Sequence, residues 1–253
     1  MTIEIFFYIF IVFWFVVAVV SFFSLFKVAA PYGRYAPSGL TRTIDNKLGW
    51  VIMESPAVFV FAASFLLGKY TQSLTALVFL VMWETHYIQR TFIYPFTLRT
   101  KDKRMPFTIL MPAFFFNIIN GALNGGYVFT MSGGYPNEWL TDPRFIVGFA
   151  LFVIGFIINR LSDRILRNLR APEETGYKIP QGGLFQWISC PNYLGEIIEW
   201  TGWAIATWSI AGFAFAVWTA ANLIPRALSH HKWYHIHFPD YPPERKALLP
   251  GIW

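Results

Sequence analysis

The stretch from Gln181 to Trp200, QGGLFQWISCPNYLGEIIEW, decides how the rest of the chain is interpreted. Up to Pro191 it has the glycines and aromatic residues of a surface loop, and after it an apolar helix carries Asn192, Glu196 and Glu199. A charge at the centre of a bilayer costs about 3 kcal/mol on insertion scales, so such residues face a partner, a cavity or a ligand. Asn192 and Glu196 share a helix face at i, i+4. The pattern indicates a polar site inside a membrane helix; the alternative is a helix end among the lipid headgroups.

The composition is that of a polytopic membrane protein. Of the 253 residues, 55% are hydrophobic and only 13% are charged, which is too little polar surface for a soluble domain of this length. The net charge of +6 comes from basic residues between apolar segments, so we interpret it as a topology signal and expect no nucleic-acid partner. The single Cys190 excludes an internal disulfide and an all-cysteine metal site.

Five apolar segments are long enough to cross the hydrocarbon core once tilt and flanking residues are allowed for. They are residues 3–26, 51–67, 74–94, 107–131 and 145–158. A further apolar run, residues 193–224, is long for one crossing and short for two.

Basic residues decide how often that last run crosses. Seventeen of the 20 Lys and Arg residues fall in segments 27–47, 99–104, 160–178 and 226–246. The positive-inside rule places these segments in the cytoplasm and the N-terminus outside. Residues 193–224 must then cross twice, with a tight turn near 207–212. We therefore predict an all-α membrane protein with seven transmembrane helices, its C-terminus cytoplasmic, folded as a single domain over residues 1–253.

Polar residues also interrupt the second and third predicted helices. Glu54 lies near the start of the second helix, just after Trp50. The third helix carries Tyr87 and Tyr94, which are seven residues apart and share a face. For Tyr87 alone, the alternative is an ordinary aromatic residue at the membrane interface.

The fifth predicted helix ends in a polar stripe. Asn159 and Asp163 are spaced i, i+4, and Arg167 and Arg170 continue towards the cytoplasm. The alternative here is a solvated basic helix end with internal ion pairs.

The last predicted helix has the same kind of stripe, because Arg226, His230 and Tyr234 recur every four residues. Both stripes and the face of Asn192 and Glu196 open toward the predicted cytoplasmic side. This arrangement suits a ligand that is large, polar and anionic at one end and reaches into an apolar cavity at the other.

A metal centre and a Rossmann domain are not expected. Four of the five histidines fall within residues 230–237, whereas membrane di-iron oxygenases use about eight ligands in several histidine clusters. The glycines of GALNGG, residues 121–126, lie in an apolar helix and do not follow a strand, so they do not form a dinucleotide fingerprint. Side chains of helices and loops would have to hold any nucleotide.

With these residues in hand, the chain resembles the steroid 5α-reductases (3-oxo-5α-steroid 4-dehydrogenases), and among them most closely the type 2 form. The similarity covers nearly all residues from Pro31 to the C-terminus. It is densest in NRLSDRILRNLR (159–170), YKIPQGGLF (177–185), NYLGEIIEW (192–200), QRTFIY (89–94) and DYPPERKALLPGIW (240–253).

The resemblance implies NADPH-dependent reduction of the Δ4 double bond of a 3-oxo steroid by a seven-helix membrane enzyme, with hydride added at C5. It implies Glu54 and Tyr87 as the catalytic pair at the steroid C3 carbonyl, and Trp50 and Phe116 as lining of the steroid cavity. The cofactor-binding part would lie mainly in residues 159–253. The implied cofactor contacts are Arg34, Tyr94, Asn159, Asp163, Arg170, Tyr177, Asn192, Glu196, Arg226, His230 and Tyr234.

The expected partners are a steroid and the lipid bilayer, with the chain a monomer in the inner membrane of a bacterium or the endoplasmic reticulum of a eukaryote. Other functions stay open from the sequence. They are a reductase of another sterol or polyprenol double bond, a methyltransferase similar to the isoprenylcysteine carboxyl methyltransferases that uses S-adenosylmethionine, and a transporter or sterol-binding protein without chemistry. The lack of inverted repeats argues against a transporter.

Overall fold

The computed structural model describes residues 3–28, 35, 42–98, 103–171, 174 and 176–251. The helices are α1 (Ile3–Lys27), α2 (Asn46–Leu67), α3 (Leu74–Ile88), α4 (Tyr94–Thr97), α5 (Phe107–Gly126), α6 (Pro143–Asn168), α7 (Pro191–Thr207) and α8 (Ile210–His237). Two short strands are β1 (Thr43–Asp45) and β2 (Arg104–Pro106). Segments Gln89–Ile93 and Tyr127–Met131 are π-helical, and Asn137–Thr141 and Gly183–Gln186 are 3₁₀-helical.

Among the described residues, five helices are long and apolar enough to cross a membrane. They are Glu4–Lys27, Asn46–Leu67, Phe107–Met131, Pro143–Asn168 and Ile210–His237. The predicted helical membrane architecture is therefore confirmed. Helices α3 and α7 are shorter, with 15 and 17 residues, so the seven crossings and the orientation of the termini stay predictions.

The predicted break in the last apolar run is confirmed. Helix α7 ends at Thr207 and α8 begins at Ile210. Between them Trp208 has φ 45°, a left-handed backbone conformation that interrupts the right-handed helix and that residues with a Cβ rarely adopt. The hydroxyls of Thr207 and Ser209 are hydrogen-bonded at 2.9 Å across this turn.

The all-α prediction was wrong in one detail, because β1 and β2 form a short antiparallel ladder that pairs Ile44 with Met105. The ladder leads directly into α2, whose first turn is capped by the Asp45 carboxylate, which accepts hydrogen bonds from the Lys47 and Leu48 amides at 2.9 and 3.0 Å. Strands of three residues are too short to leave an alternating pattern in the sequence.

The chain divides into two compact units. Unit 1 comprises Met1–Ile9, Pro31–Ile146 and Thr207–Ala211, and unit 2 comprises Phe10–Ala30, Val147–Ala206 and Gly212–Trp253. Helix α1 contributes to each. The expectation of one polytopic domain stays a prediction.

In unit 1, α5 packs along α2 at positions where small residues allow close approach. A Cβ on Gly121 would lie 3.3 Å from the Cβ of Val60, and one on Gly125 would lie 2.6 Å from the Cβ of Ser64. Without a hydrophobic effect between lipid-embedded helices, such close backbone packing is a main source of association.

Helix α3 packs on α2 through Trp83, which is fully buried. Its ring stacks on Phe61 with centroids 4.4 Å apart, and its indole N–H donates to the carbonyl of Ala57 at 2.9 Å. This contact determines which face of α3 meets α2, and Tyr87 follows one turn later on the same face.

In unit 2, α6 and α7 meet at four glycines. A Cβ on Gly148 would lie 2.2 Å from the amide nitrogen of Ala206, and Cβ atoms on Gly155, Gly195 and Gly202 would lie between 2.3 and 2.5 Å from backbone nitrogens of the other helix. The two glycines of each helix are seven residues apart, so each pair occupies one face. The backbones are therefore nearly in contact, which sets the register between the polar residues of α6 and α7.

Candidate active site

Glu54 lies on α2 where the helical hydrogen-bond ladder is interrupted. Pro56 has no N–H to offer the carbonyl of Ile52, and the hydroxyl of Ser55 donates to that carbonyl at 3.2 Å instead. Glu54 is half-buried. The predicted acid is thus set in a locally irregular turn.

The carboxyl of Glu54 is held from α5 by Asn117, which the sequence analysis did not identify. The side-chain nitrogen of Asn117 donates to Oε2 of Glu54 at 3.0 Å and to the carbonyl of Met53 at 2.8 Å. Asn117 is 5% exposed. The available signal was an amide in the middle of an apolar segment, which is the same signal that identified Glu54.

Tyr87, the second predicted catalytic residue, lies on α3, which packs against α2. It is buried, with its ring 4.9 Å from that of Trp83 and 5.0 Å from that of His86. His86 and Arg90 of the same helix segment lie close enough to Glu54 for electrostatic interaction. The structure therefore brings Glu54 and Tyr87 to neighbouring helices of one unit.

An aromatic cluster with a cation at its centre adjoins this region. The guanidinium carbon of Arg90 lies 4.8 Å from the ring centroid of Trp50 and 4.7 Å from that of Tyr94, a cation–π arrangement. Trp50 and Tyr94 are in edge contact at 5.4 Å. Tyr94 was predicted as a cofactor contact, and the structure places it in unit 1 with Trp50, directly after the π-helical segment Gln89–Ile93. The predicted cavity residue Phe116 is half-buried on α5.

Unit 2 brings together three of the predicted cofactor contacts. The Asn159 amide donates to the backbone carbonyl of Asn192 at 3.0 Å, and the Asn192 amide donates to Asp163 at 3.4 Å. Asn159 and Asp163 are buried. Glu196 follows one turn along α7 and is half-buried, and Glu199 is fully buried. The acids therefore lie within the packed helices, and the alternative of a helix end among headgroups does not describe Glu199.

A second hydrogen-bonded group in unit 2 joins α7 to α8. Arg226 donates to the Tyr193 hydroxyl at 3.2 Å and to the Asn222 side-chain oxygen at 3.0 Å. The same hydroxyl lies 3.2 Å from Nε2 of His230. Tyr193 was missed in the sequence, where it appeared as one more aromatic residue beside Asn192. The predicted Arg226 and His230 are thus linked through one phenol.

The loop after α6 holds two further predicted contacts. Arg170 donates to the carbonyl of Gly176 at 2.9 Å, and the ring of Tyr177 is in edge contact with Trp233 at 5.0 Å. The predicted contact Arg34 lies outside the described residues.

The same loop carries an exposed ion pair. The hydrogen bond from Lys178, and after it the bond from the Ala171 amide, lowers the pKa of the Glu174 carboxyl below its usual value. A surface cleft of about 470 Å³ beside this loop is lined by residues that include Arg164, Asn168 and Lys178, so its polar lining is largely cationic and amide.

Tyr234, the last residue of the predicted α8 stripe, is buried against the C-terminal tail. Its ring stacks on Tyr241 at 5.1 Å with an interplanar angle of 9°. The hydroxyl of Ser189 lies 2.7 Å from both Nδ1 of His231 and the hydroxyl of Tyr241. The tail is therefore anchored to α8 by a partly buried polar network next to the stripe.

The donor set of unit 2 fits a dinucleotide in chemical terms. Guanidinium groups are suited to phosphates, and amides and phenols to hydroxyls and a carboxamide. Within the described ranges, no group of three or more His, Cys, Asp or Glu side chains could hold a metal ion.

Comparison with known proteins gives the family. A sequence profile described as 3-oxo-5-alpha-steroid 4-dehydrogenase matches residues 103–253. The chain is 44% identical to 3-oxo-5-alpha-steroid 4-dehydrogenase 1 of Bos taurus over 238 residues, which are 92% of each protein. The chain belongs to the 3-oxo-5-alpha-steroid 4-dehydrogenase family.

Other members of the family support this membership. Identity is 41% to the 3-oxo-5-alpha-steroid 4-dehydrogenase 1 of Homo sapiens, covering 87% of this chain and 85% of that protein. It is 39% to a plant protein, steroid 5-alpha-reductase DET2 of Gossypium hirsutum, covering 94% of each. The predicted enzyme class, an oxidoreductase acting on CH–CH bonds, and the predicted integral membrane character are confirmed. The mammalian relatives named here carry the number 1, and the likeness to the type 2 form stays a prediction.

Proposed function

We propose that this protein reduces the Δ4 double bond of a 3-oxo steroid to the 5α product, with NADPH as the reductant. The observation that carries the proposal is the arrangement in unit 1, where Glu54 is hydrogen-bonded by Asn117 and Tyr87 lies on the adjoining helix among aromatic rings. A flat apolar ligand with one carbonyl suits such a surrounding, because aromatic side chains bury its rings and a few polar groups orient it.

The charge that develops in the reaction explains why a donor is needed. Bound NADPH would supply the hydride that is added at C5. As the C4=C5 pair shifts, negative charge builds on the C3 oxygen, and a proton is finally added at C4. The phenol O–H of Tyr87 would donate to that oxygen, and one such preorganised donor contributes about 3 kcal/mol.

Glu54 would support the same oxygen. In its protonated form it could donate to the C3 oxygen or polarise the phenol of Tyr87. Trp50 and Phe116 would line the steroid cavity and exclude water, so that charge–dipole interactions there are weakly screened.

The polar residues of unit 2 would hold the cofactor. Arg170, Arg226 and His230 would meet its phosphates, and the amides of Asn159 and Asn192 would meet its neutral polar groups. The remaining proposed contacts are Arg34, Tyr94, Asp163, Tyr177, Glu196 and Tyr234. We further propose that the chain acts as a monomer embedded in the bilayer, with seven crossings, a cytoplasmic C-terminus, and a location in the bacterial inner membrane or the endoplasmic reticulum.

The test is turnover by the purified protein in detergent. NADPH oxidation would be followed against a panel of 3-oxo-Δ4 steroids, and the configuration at C5 of each product would be determined. We expect oxidation that depends on the steroid and a 5α product. Oxidation with a sterol or polyprenol alone, or methyl transfer from S-adenosylmethionine without NADPH consumption, would overturn the proposal.

A further inference from the structure

We infer that Asn117 is a positioning residue of the enzyme: it fixes the carboxyl of Glu54 so that Oε2 accepts a hydrogen bond and Oε1 carries the acid proton. This inference rests on the proposed function, in which Glu54 acts at the substrate carbonyl. It adds a residue on α5 to a pair that lies on α2 and α3.

The orientation of the Asn117 amide follows from its partners. The carbonyl of Met53 can only accept a hydrogen bond, so the side-chain atom 2.8 Å from it is the amide nitrogen. The same nitrogen lies 3.0 Å from Oε2 of Glu54. An amide NH₂ group has two hydrogens, and these two bonds use both. Asn117 therefore meets Glu54 only as a donor.

The donor determines which oxygen of Glu54 can carry a proton. A protonated carboxyl has a single O–H, and a proton on Oε2 pointing at the amide would bring two hydrogens together. Oε2 is thus the accepting oxygen, and the proton of the acid form resides on Oε1. Without the amide, the two oxygens would be equivalent acceptors and the side chain would be free to rotate about its last torsion.

The position of Asn117 is itself set by helix packing. It lies one turn before Gly121 on the face of α5 that packs closely on α2, and Gly125 extends that contact by a further turn. Asn117 is 5% exposed, whereas Glu54 retains accessible surface. The amide is therefore buried between the helices, beside a glutamate that is only half-buried as a residue.

The experiment is a double-mutant cycle on the single-turnover rate of steroid reduction by the full-length protein. Asn117→Ala should lower that rate about tenfold, the effect of losing one hydrogen bond to a carboxyl, with the KM for the steroid nearly unchanged. In the Glu54→Gln background the same substitution should cost less than about twofold, because there is no acid proton left to place.

Asn124→Ala provides the matched control. Asn124 is another buried asparagine of α5, and its amide donates to Asn120 within the helix at 3.0 and 3.1 Å. We expect its effect on the rate, whatever its size, to multiply with that of Glu54→Gln. If the Ala variant at position 117 does not fold, Asn117→Leu keeps nearly the same side-chain size, can donate neither hydrogen bond, and should show the same non-additivity.

The results of this cycle distinguish the role proposed for Glu54 from the role inferred for Asn117. If Glu54→Gln leaves the rate unchanged, the proposed role of Glu54 fails and this inference falls with it. If Glu54→Gln slows the reaction while Asn117→Ala does not, or if the two losses simply multiply, Asn117 has only a structural role and the inference alone is overturned.

Discussion

The polar groups of the two units are organised in opposite ways. In unit 1, the carboxyl of Glu54 is held by one amide, that of Asn117, and the buried phenol of Tyr87 lies among aromatic rings on the neighbouring helix. In unit 2, polar groups of α6, α7 and α8 are linked by several hydrogen bonds: the Asn159 amide donates to the backbone carbonyl of Asn192, and the side-chain amide of Asn192 donates to Asp163. A site for chemistry depends on a few donors aimed at one atom, whereas a site for a large polar ligand distributes its contacts.

This difference makes the expected mutational effects unequal. A donor that acts only on developing charge changes the rate without changing binding. A residue that is one of many ligand contacts changes affinity modestly.

The largest effect on turnover should come from substituting the two proposed catalytic residues of unit 1, Tyr87 and Glu54. Tyr87→Phe and Glu54→Gln should each lower kcat for steroid reduction by about 100-fold, because each removes a group that we propose stabilises charge on the C3 oxygen. The dissociation constant for NADPH, measured by fluorescence titration, should stay within about twofold. Unchanged turnover in either variant would remove that residue from the mechanism.

A large effect on stability should come from the glycine contact of unit 2. Gly155→Ala would place a Cβ 2.3 Å from the amide nitrogen of Glu199, and we expect a loss of about 1–3 kcal/mol or failure to fold. Gly126→Ala is the matched control, since a Cβ there meets nothing within 4 Å. Thermal unfolding in detergent measures both. Equal stability of the two variants would show that the close α6–α7 contact does not organise unit 2.

A moderate effect should come from the cation of the α7–α8 group. Arg226→Ala removes a guanidinium that bonds to Tyr193 and Asn222, and should weaken NADPH binding about tenfold with little change in steroid KM. Arg144→Ala, which removes an exposed cation at the start of α6, should leave NADPH binding as it is. A loss of kcat at saturating NADPH in Arg226→Ala would instead place this residue in the chemical step.

The smallest effect should come from the half-buried Asp142, which precedes α6 and whose carboxylate accepts a hydrogen bond from the Arg144 amide at 2.8 Å. Hydrogen bonds from the Arg144 side chain, and after them one from the Arg144 amide, lower the pKa of the Asp142 carboxyl to about 2. The folded pKa is below the unfolded value of about 4, so this contribution is present above about pH 4 and is lost as the pH falls towards 2. The difference in thermal stability between the unsubstituted protein and the Asp142→Asn variant should therefore decrease as the pH falls from about 4 towards 2. If this difference in stability does not change with pH, the charge of Asp142 does not contribute to it.

Much of the fold could be predicted from the sequence. The start of α7 at Pro191 and the break near Trp208 follow from hydropathy and from the positions of basic residues, which report the solvent each segment meets. Glu54, Asn159 and Asp163 stood out because polar groups are rare in apolar segments. The α3 segment was only partly predicted, since a π-helical interruption at Gln89–Ile93 leaves no mark in hydropathy.

The hydrogen-bond partners of these residues could not be predicted from the sequence. In the sequence, Asn117 is one of several amides on an apolar helix, and its role follows only from the packing of α5 on α2 near Gly121. Tyr193 is likewise an ordinary aromatic residue in the sequence, and only the structure shows that its hydroxyl joins Arg226 to His230. Such pairings depend on the rotation and separation of helices far apart in the chain.

Composition and local spacing were enough to predict a helical membrane protein with acids and amides inside its apolar segments, because these properties depend on residues that are close together along the chain. Its motifs also carried the family resemblance. The amide that holds Glu54, the phenol that joins α7 to α8, and the close approach of α6 to α7 became known only from the packing of the helices. Those outcomes depend on side-chain shape at helix contacts, where the presence or absence of a single Cβ decides whether two backbones can meet.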